Sequence, residues 1–205
     1  MKTLLFQESL SFTLGLTFIF IIIIIITRKL KYIILYFIIL ILLMFMYRSP
    51  TPNISYLTNF IYSPSSGTIR EIQEQDDSYY ISTFLSPANV HVQYTPYPGR
   101  ITKITHTPGK LTPAFLKKSK YNERVETLLE TNIGVIKIYQ IAGVIFHHIV
   151  TFIKLNSQVN TGDKLGMIKT GSRVDIIISK NKTKLLVKKG DKVKGGVTPL
   201  AEVIK

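Results

Sequence analysis

Two textures of hydrophobic and polar residues divide the chain. From Leu10 to Ile26 there are 17 residues without charge, ending in six isoleucines. Thr27-Arg28-Lys29-Leu30-Lys31 interrupts, and Tyr32 to Tyr47 adds 16 more uncharged residues. Both runs are apolar on every side, unlike a surface-lying amphipathic helix. A helix needs roughly 20 apolar residues to cross a bilayer, so each run alone is marginal. Residues 1–47 are therefore expected to form a membrane-embedded helical hairpin, either as two short spans or as a shallow loop entering one leaflet. The basic interruption favours a cytoplasmic position for the loop between two spans. The sequence does not fix the compartment.

Ser49-Pro50-Thr51-Pro52-Asn53 then resists helix continuation and reads as a linker. Beyond it, short β-branched runs alternate with Gly and Pro turns. Gly67–Ile72, Tyr79–Leu85, Arg100–His106, Gly134–Ile141 and Arg173–Ile178 are predicted strands, several with the period of two that marks half-buried positions. Lys117–Thr131 fits either a short helix or a strand entered from a loop. Residues 48–205 are predicted to be mainly β, a β-sandwich or hybrid-motif-like soluble domain. A weak repeat lies near the end: Val159-Asn160-Thr161-Gly162-Asp163-Lys164-Leu165 is echoed by Val187-Lys188-Lys189-Gly190-Asp191-Lys192-Val193. Each copy fits a strand, a Gly-Asp turn and a return strand.

Charge and composition narrow the function classes. The net charge is +14, and residues 49–205 hold 21 basic and 11 acidic side chains. Such a surface suits an anionic membrane. Lys180–Lys194 carries seven lysines, but interleaved with Gly-Asp turns and without stacking aromatics, so no nucleic-acid partner is expected. The absence of cysteine excludes disulfides and thiolate chemistry. The four histidines, His91, His106, His147 and His148, are too few and too scattered to predict a metal site.

Five segments, in order, carry a resemblance: Tyr62-Ser63-Pro64-Ser65-Ser66-Gly67, Ile81–Val92, Asn122-Glu123-Arg124, Gln140-Ile141-Ala142-Gly143 and Met167–Asp175. Together they resemble the phosphatidylserine decarboxylase family in its short, archaeal-type branch, from about Arg48 to Lys205. The resemblance implies a membrane-bound, self-processing zymogen of phospholipid biosynthesis. It further implies that the Ser172 hydroxyl would attack the Gly171 carbonyl and that the resulting ester would eliminate. Residue 172 is left as a covalent pyruvoyl group, on a 34-residue piece (172–205) that stays associated with 1–171. On the same resemblance, that group would form a Schiff base with phosphatidylserine and accept the electrons released with carbon dioxide. The resemblance makes Ser172, Gly171 and His91 the catalytic residues. Arg124, Asn122, His147, His148 and Arg173 become candidate substrate-binding residues, and oligomerisation is left open.

Two departures from the family pattern bear on the reading. Ser66 stands where the family has an Asp tied to self-cleavage, with Asp76, Asp77 and Glu123 as candidate substitutes. His147-His148 replaces a basic pair. Two other readings remain beside the enzyme. One is an unprocessed, membrane-anchored pseudoenzyme that binds anionic lipid. The other is a carrier domain modified at Lys169, for which Met167-Ile168-Lys169 is a poor match to the usual setting.

Overall fold

The computed structural model describes residues 5–109, 122–143, 149–169 and 172–204, apart from the side chains of residues 5–12 and Met46. Two helices come first, α1 (Leu5–Thr27) and α2 (Leu30–Met46). Arg28 turns the chain in the left-handed region at φ 50° and Lys29 is extended, so the helices double back into a hairpin. Inside it, the Thr17 and Tyr36 hydroxyls lie 3.0 Å apart, and Phe20 packs on the Tyr36 ring with centroids 5.3 Å apart. Most of the remaining apolar side chains point outward; Phe18, Ile25, Ile26, Leu30 and Met44 are all exposed. No helix among the described residues is long and apolar enough to cross a membrane. The 17 residues of α2 extend about 25 Å, short of a hydrocarbon core of about 30 Å.

Among the described residues fourteen strands follow: β1 (Phe60–Tyr62), β2 (Gly67–Glu74), β3 (Ser78–Leu85), β4 (Val92–Tyr94), β5 (Gly99–Thr107), β6 (Arg124–Thr131), β7 (Gly134–Ile141), β8 (Ile149–Thr151), β9 (Gln158–Val159), β10 (Lys164–Ile168), β11 (Ser172–Ser179), β12 (Thr183–Leu185), β13 (Lys192–Val193) and β14 (Pro199–Val203). They form an eight-stranded antiparallel sheet, β13-β2-β3-β11-β7-β6-β5-β9, and two three-stranded sheets, β1-β14-β12 and β4-β10-β8. The mainly β fold expected from the alternation is present, and the five predicted strands appear as β2, β3, β5, β7 and β11. Ile69, Ile81, Leu85, Ile101, Leu129, Ile138, Val174 and Ile176 of the large sheet meet Ile61, Leu165, Ile168 and Leu200 of the small sheets in one core. Each such buried aliphatic stabilises the fold by about 1.5–3 kcal/mol.

The eight-stranded order is unchanged when β13 is exchanged with β9, β2 with β5, β3 with β6, and β11 with β7. The domain is thus two copies of one unit about an axis between β11 and β7. Ser63-Pro64-Ser65-Ser66-Gly67-Thr68-Ile69 and Thr95-Pro96-Tyr97-Pro98-Gly99-Arg100-Ile101 are equivalent. The two segments clasp each other reciprocally, Tyr62 N donating to Pro96 O at 2.9 Å and Tyr94 N to Pro64 O at 2.8 Å. Their glycines are required for the same reason: a Cβ on Gly67 or Gly99 would fall 2.2 Å from a carbonyl oxygen of the neighbouring strand, Phe84 or Glu130. A bulge follows at the same place in β2 and β5.

The Gly-Asp echo does not follow this symmetry. Gly190 N donates to Ile69 O, as Asn156 N does to Ile101 O. Gly162 N donates to Thr95 O, and Gly196 N to Ser63 O. The structural mate of Gly190 is therefore Asn156, and that of Gly162 is Gly196; all four have positive φ. Nor are the two echoed segments β-hairpins. The first passes from β9 in the large sheet to β10 in a small one, and the second from β12 in a small sheet to β13 in the large one. What they share is local: Asp163 accepts from Asn160 N and Asp191 from Lys188 N.

Candidate active site

The two halves differ at one end of the large sheet. In one half β6 returns directly as β7 through Asn132-Ile133, with Gly134 at φ 109° opposite Thr131. The equivalent pair in the other half is Leu85 opposite Ser172, but here no turn joins β3 to β11. The chain leaves Leu85 through Ser86–His91 into β4 of a small sheet, and later returns from β10 through Lys169 to Ser172. The described residues that flank these two passages are tied to each other on both sides. Ser172 pairs with Leu85 in the large sheet, and Ile168 N donates to His91 O at 3.1 Å in the small one. The opened turn therefore holds both Ser172 and His91. Gly171 lies outside the described residues.

Ser172 begins β11 on the side of Val174 and Ile176, facing the core, and is fully buried. Its Oγ has no hydrogen-bond partner among the described residues. An unpartnered buried hydroxyl costs free energy and calls for a chemical reason. His91 is also fully buried, and its Nε2 likewise has no partner. Its Nδ1 lies 2.9 Å from Asn89 O. A carbonyl can only accept, so Nδ1 carries the proton and Nε2 keeps its lone pair. Burial lowers the His91 pKa to about 4, against a rise from the Asn89 bond, so the ring is a neutral base at pH 7. The loop that holds it is closed by Asn89 Oδ1, which accepts from Ser86 N and Ser86 Oγ at 2.9 and 2.8 Å. Arg48 Nη2 donates to Ala88 O at 3.1 Å from outside.

A buried amide relay crosses the gap between the sheets. Gln140 Nε2 on β7 donates to Gln93 Oε1 on β4 at 2.8 Å, and Gln93 Nε2 donates to His91 O at 2.7 Å. Gln93 had no place in the sequence reading. Its signal was a polar residue between two apolar neighbours in a three-residue strand that is buried throughout.

The other predicted site residues divide by sheet face. Asn122 is buried beside the site end of β7, where its Nδ2 donates to Ala142 O at 2.8 Å. Arg173 and Arg124 both pair with Ile141, which puts them in one row on the face opposite Ser172. There Arg173 Nη2 meets Asp175 Oδ2 at 3.0 Å, and Asp175 also accepts from Tyr80 and Ser82 at 2.7 Å. Burial raises the Asp175 pKa, against the opposing pull of Arg173 and the two hydroxyls. His147 and His148 fall outside the described residues. Lys169 is half-buried just after β10.

At Ser66, Oγ accepts from Gly195 N at 2.9 Å. Of the candidate substitutes for a carboxylate there, Asp76 and Asp77 are exposed in the β2–β3 turn, at the end of β3 far from Ser172. Glu123 is buried, and its carbonyl accepts from Ala142 N, one row beyond the Arg124–Ile141 pair toward Ser172. Its carboxylate lies 2.6 Å from His106 Nε2. No cluster of three metal-ligating side chains occurs among the described residues.

Comparison with known proteins bears on this arrangement. A sequence model described as phosphatidylserine decarboxylase matches residues 57–201. The chain is 35% identical over 159 residues to a Methanosarcina barkeri protein named "Putative archaetidylserine decarboxylase proenzyme", covering 78% of this chain and 76% of the relative. It is 38% identical over 139 residues to the phosphatidylserine decarboxylase proenzyme of Streptomyces avermitilis, covering 67% of this chain and 64% of the relative. The match to the enzyme of the same name from Syntrophus aciditrophicus is 37% over 163 residues, covering 75% and 76%. The matched region takes in Ser66, His91, Gln93, Gln140 and Ser172, and on these grounds the chain belongs to the phosphatidylserine decarboxylase family.

Proposed function

We propose that the protein removes the carboxyl group of a serine-headgroup phospholipid, using a pyruvoyl group made from its own Ser172. The observation that carries this reading is the pair of buried, unpartnered atoms, Ser172 Oγ and His91 Nε2, in the opened turn. His91 Nε2, neutral and shielded from water, takes the Ser172 proton as the hydroxyl attacks the Gly171 carbonyl, and the Gly171–Ser172 amide becomes an ester. Loss of the residue 172 α-proton then eliminates the 1–171 carboxylate, and hydrolysis of the resulting dehydroalanine releases ammonia. When formed, the pyruvoyl group supplies a ketone for the substrate amine and an adjacent carbonyl that draws electrons from the departing carboxylate. The buried Gln140–Gln93–His91 relay fixes the loop during turnover, and His91 holds the proton returned to the product α-carbon. The relatives' names share the serine headgroup and differ in the lipid core, so the headgroup defines the proposed substrate class.

The apolar hairpin is embedded in the membrane, since its outer sides are apolar, and it dips into one leaflet because α2, at 17 residues, is short for a crossing. A second reading, an unprocessed lipid-binding relative, draws on Ser66: its hydroxyl is bonded to Gly195 N, and no carboxylate bonds His91 among the described residues. Intact-mass analysis of purified protein under denaturing conditions separates the two. The enzyme gives residues 1–171 and a 34-residue piece whose first residue carries a ketone. A single 205-residue chain in fully folded material ends the enzyme reading.

A further inference from the structure

The two-fold axis places a concavity at each end of the large sheet, and their linings differ in charge. The first, of about 420 Å³, lies beside the closed β6–β7 turn and includes Pro98, Arg100 and Glu130, so a carboxylate accompanies its guanidinium. The second, of about 330 Å³, lies beside the opened turn and includes Ser66, the mate of Pro98, together with Arg48, Asn89, Val90, Tyr94 and Lys194. No acidic side chain lines it among the described residues. Arg48 is two residues beyond the end of α2 and stacks on Phe45, so the cavity lies at the foot of the apolar hairpin. Tyr94 Oη donates to Pro50 O at 2.7 Å and fixes the linker as one wall. Asn89 and Val90 are the residues just before His91, and Arg48 already bonds their loop through Ala88 O.

We infer that this cavity binds the phosphodiester of the membrane lipid whose headgroup reaches the Ser172 site. An anion with attached acyl chains satisfies all three features: two cationic side chains without a competing carboxylate, an apolar hairpin at the rim, and a wall shared with the His91 loop. Lys194 is the exposed ammonium of the pair. Arg48, whose Nη1 and Nη2 already donate to Phe45 O and Ala88 O, contributes a fixed positive charge and its remaining N–H donors. In a serine-headgroup lipid only a methylene separates the phosphate ester oxygen from the α-carbon, so a phosphate held here keeps the reacting carbon beside the loop. The inference rests on the decarboxylase reading for its substrate, but binding is measurable without turnover.

The test titrates full-length Ser172→Ala protein in detergent micelles with dihexanoyl phosphatidylserine, followed by phosphorus NMR. Inorganic phosphate serves as competitor. Lys194→Gln is expected to weaken lipid binding about tenfold. Lys194→Arg retains it, and Lys184→Gln, an equal charge change on β12, has no effect. Arg48→Gln weakens it at least as much, with loosening of the Ala88 contact included. In processing-competent protein Lys194→Gln raises KM and leaves kcat near its parent value. Lipid affinity unchanged in Lys194→Gln and in Lys194→Glu overturns the inference. So does inorganic phosphate that displaces the lipid at equal concentration, which marks a free-anion site. Failure of the wild-type chain to process itself ends the pyruvoyl reading and leaves the binding result standing.

Discussion

The two halves of the β domain share strand order, bulges, reciprocal clasps and glycine requirements, and differ at one turn. Between β6 and β7 the turn is closed by two residues. Between β3 and β11 it is open, and the free ends are drawn across to the small sheet. The closed turn ends in Gly134 with open space around it, whereas the open one ends in the buried Ser172, whose Oγ has no partner among the described residues. The comparison teaches where chemistry enters a symmetric scaffold. The shared geometry supplies the frame, and the broken connection brings Ser172 Oγ and His91 Nε2, both unpartnered among the described residues, into one opened turn.

The largest test of that contrast is processing itself. Ser172→Ala is expected to abolish scission, giving one 205-residue mass, while Gly134→Ala at the equivalent position leaves scission intact. Scission at the same bond in Ser172→Ala contradicts the assignment. Next are the crossings between sheets. Gly162 has φ 83°, and its Cβ would fall 1.9 Å from Tyr56 Oη; Gly190 has φ 96° and nothing nearby. Gly162→Ala is expected to cost about 2–5 kcal/mol from backbone and overpacking, and Gly190→Ala about 1–2 kcal/mol from backbone alone. Urea midpoints check this, and equal losses at the two positions remove the distinction.

The third test uses pH. The folded pKa of His91, about 4, is below its ordinary value of 6.5, so the unfolded chain binds the extra proton between these limits. Stability contributed by keeping His91 neutral is present above pH 6.5 and is lost as pH falls through 4, by roughly 3 kcal/mol. A shallower decline in urea midpoint from pH 7 to pH 4 is expected for His91→Gln; identical declines in variant and parent refute the assignment. The smallest effect concerns the amide relay. Gln140→Leu leaves Gln93 Oε1 unpaired at a cost of about 1–3 kcal/mol, and adding Gln93→Leu recovers part of it. Additive losses in a double-mutant cycle would show that the two amides act independently.

Much of this was legible in the sequence, for stated reasons. The strands β2, β3, β5, β7 and β11 are long, alternate, and begin or end at Gly or a turn, so period two marked them. The order of five short segments marked Ser172 and His91. The two-fold relation was not legible, because many equivalent positions carry different residues: Asn156 answers Gly190, and Pro98 answers Ser66. The Gly-Asp echo drew the eye to a pair of turns alike only in local bonding, since an Asx turn depends on two or three residues and not on which sheets it connects. The placement of Arg173 and Arg124 behind the sheet depends on which face of β11 is buried. The alternation of Ser172, Arg173, Val174 and Asp175 allowed either assignment until the packing of Val174 settled it.

β11 lies between β3 and β7, and β12 to β14 extend the same C-terminal segment into both a small sheet and the edge of the large one. A nick ahead of Ser172 therefore severs the backbone without freeing a fragment. The new terminus stays laced to Leu85 on one flank and, through its neighbour Arg173, to Ile141 on the other. A chain so nicked would count as two polypeptides held in one hydrogen-bonded sheet, and parting them would mean melting that sheet.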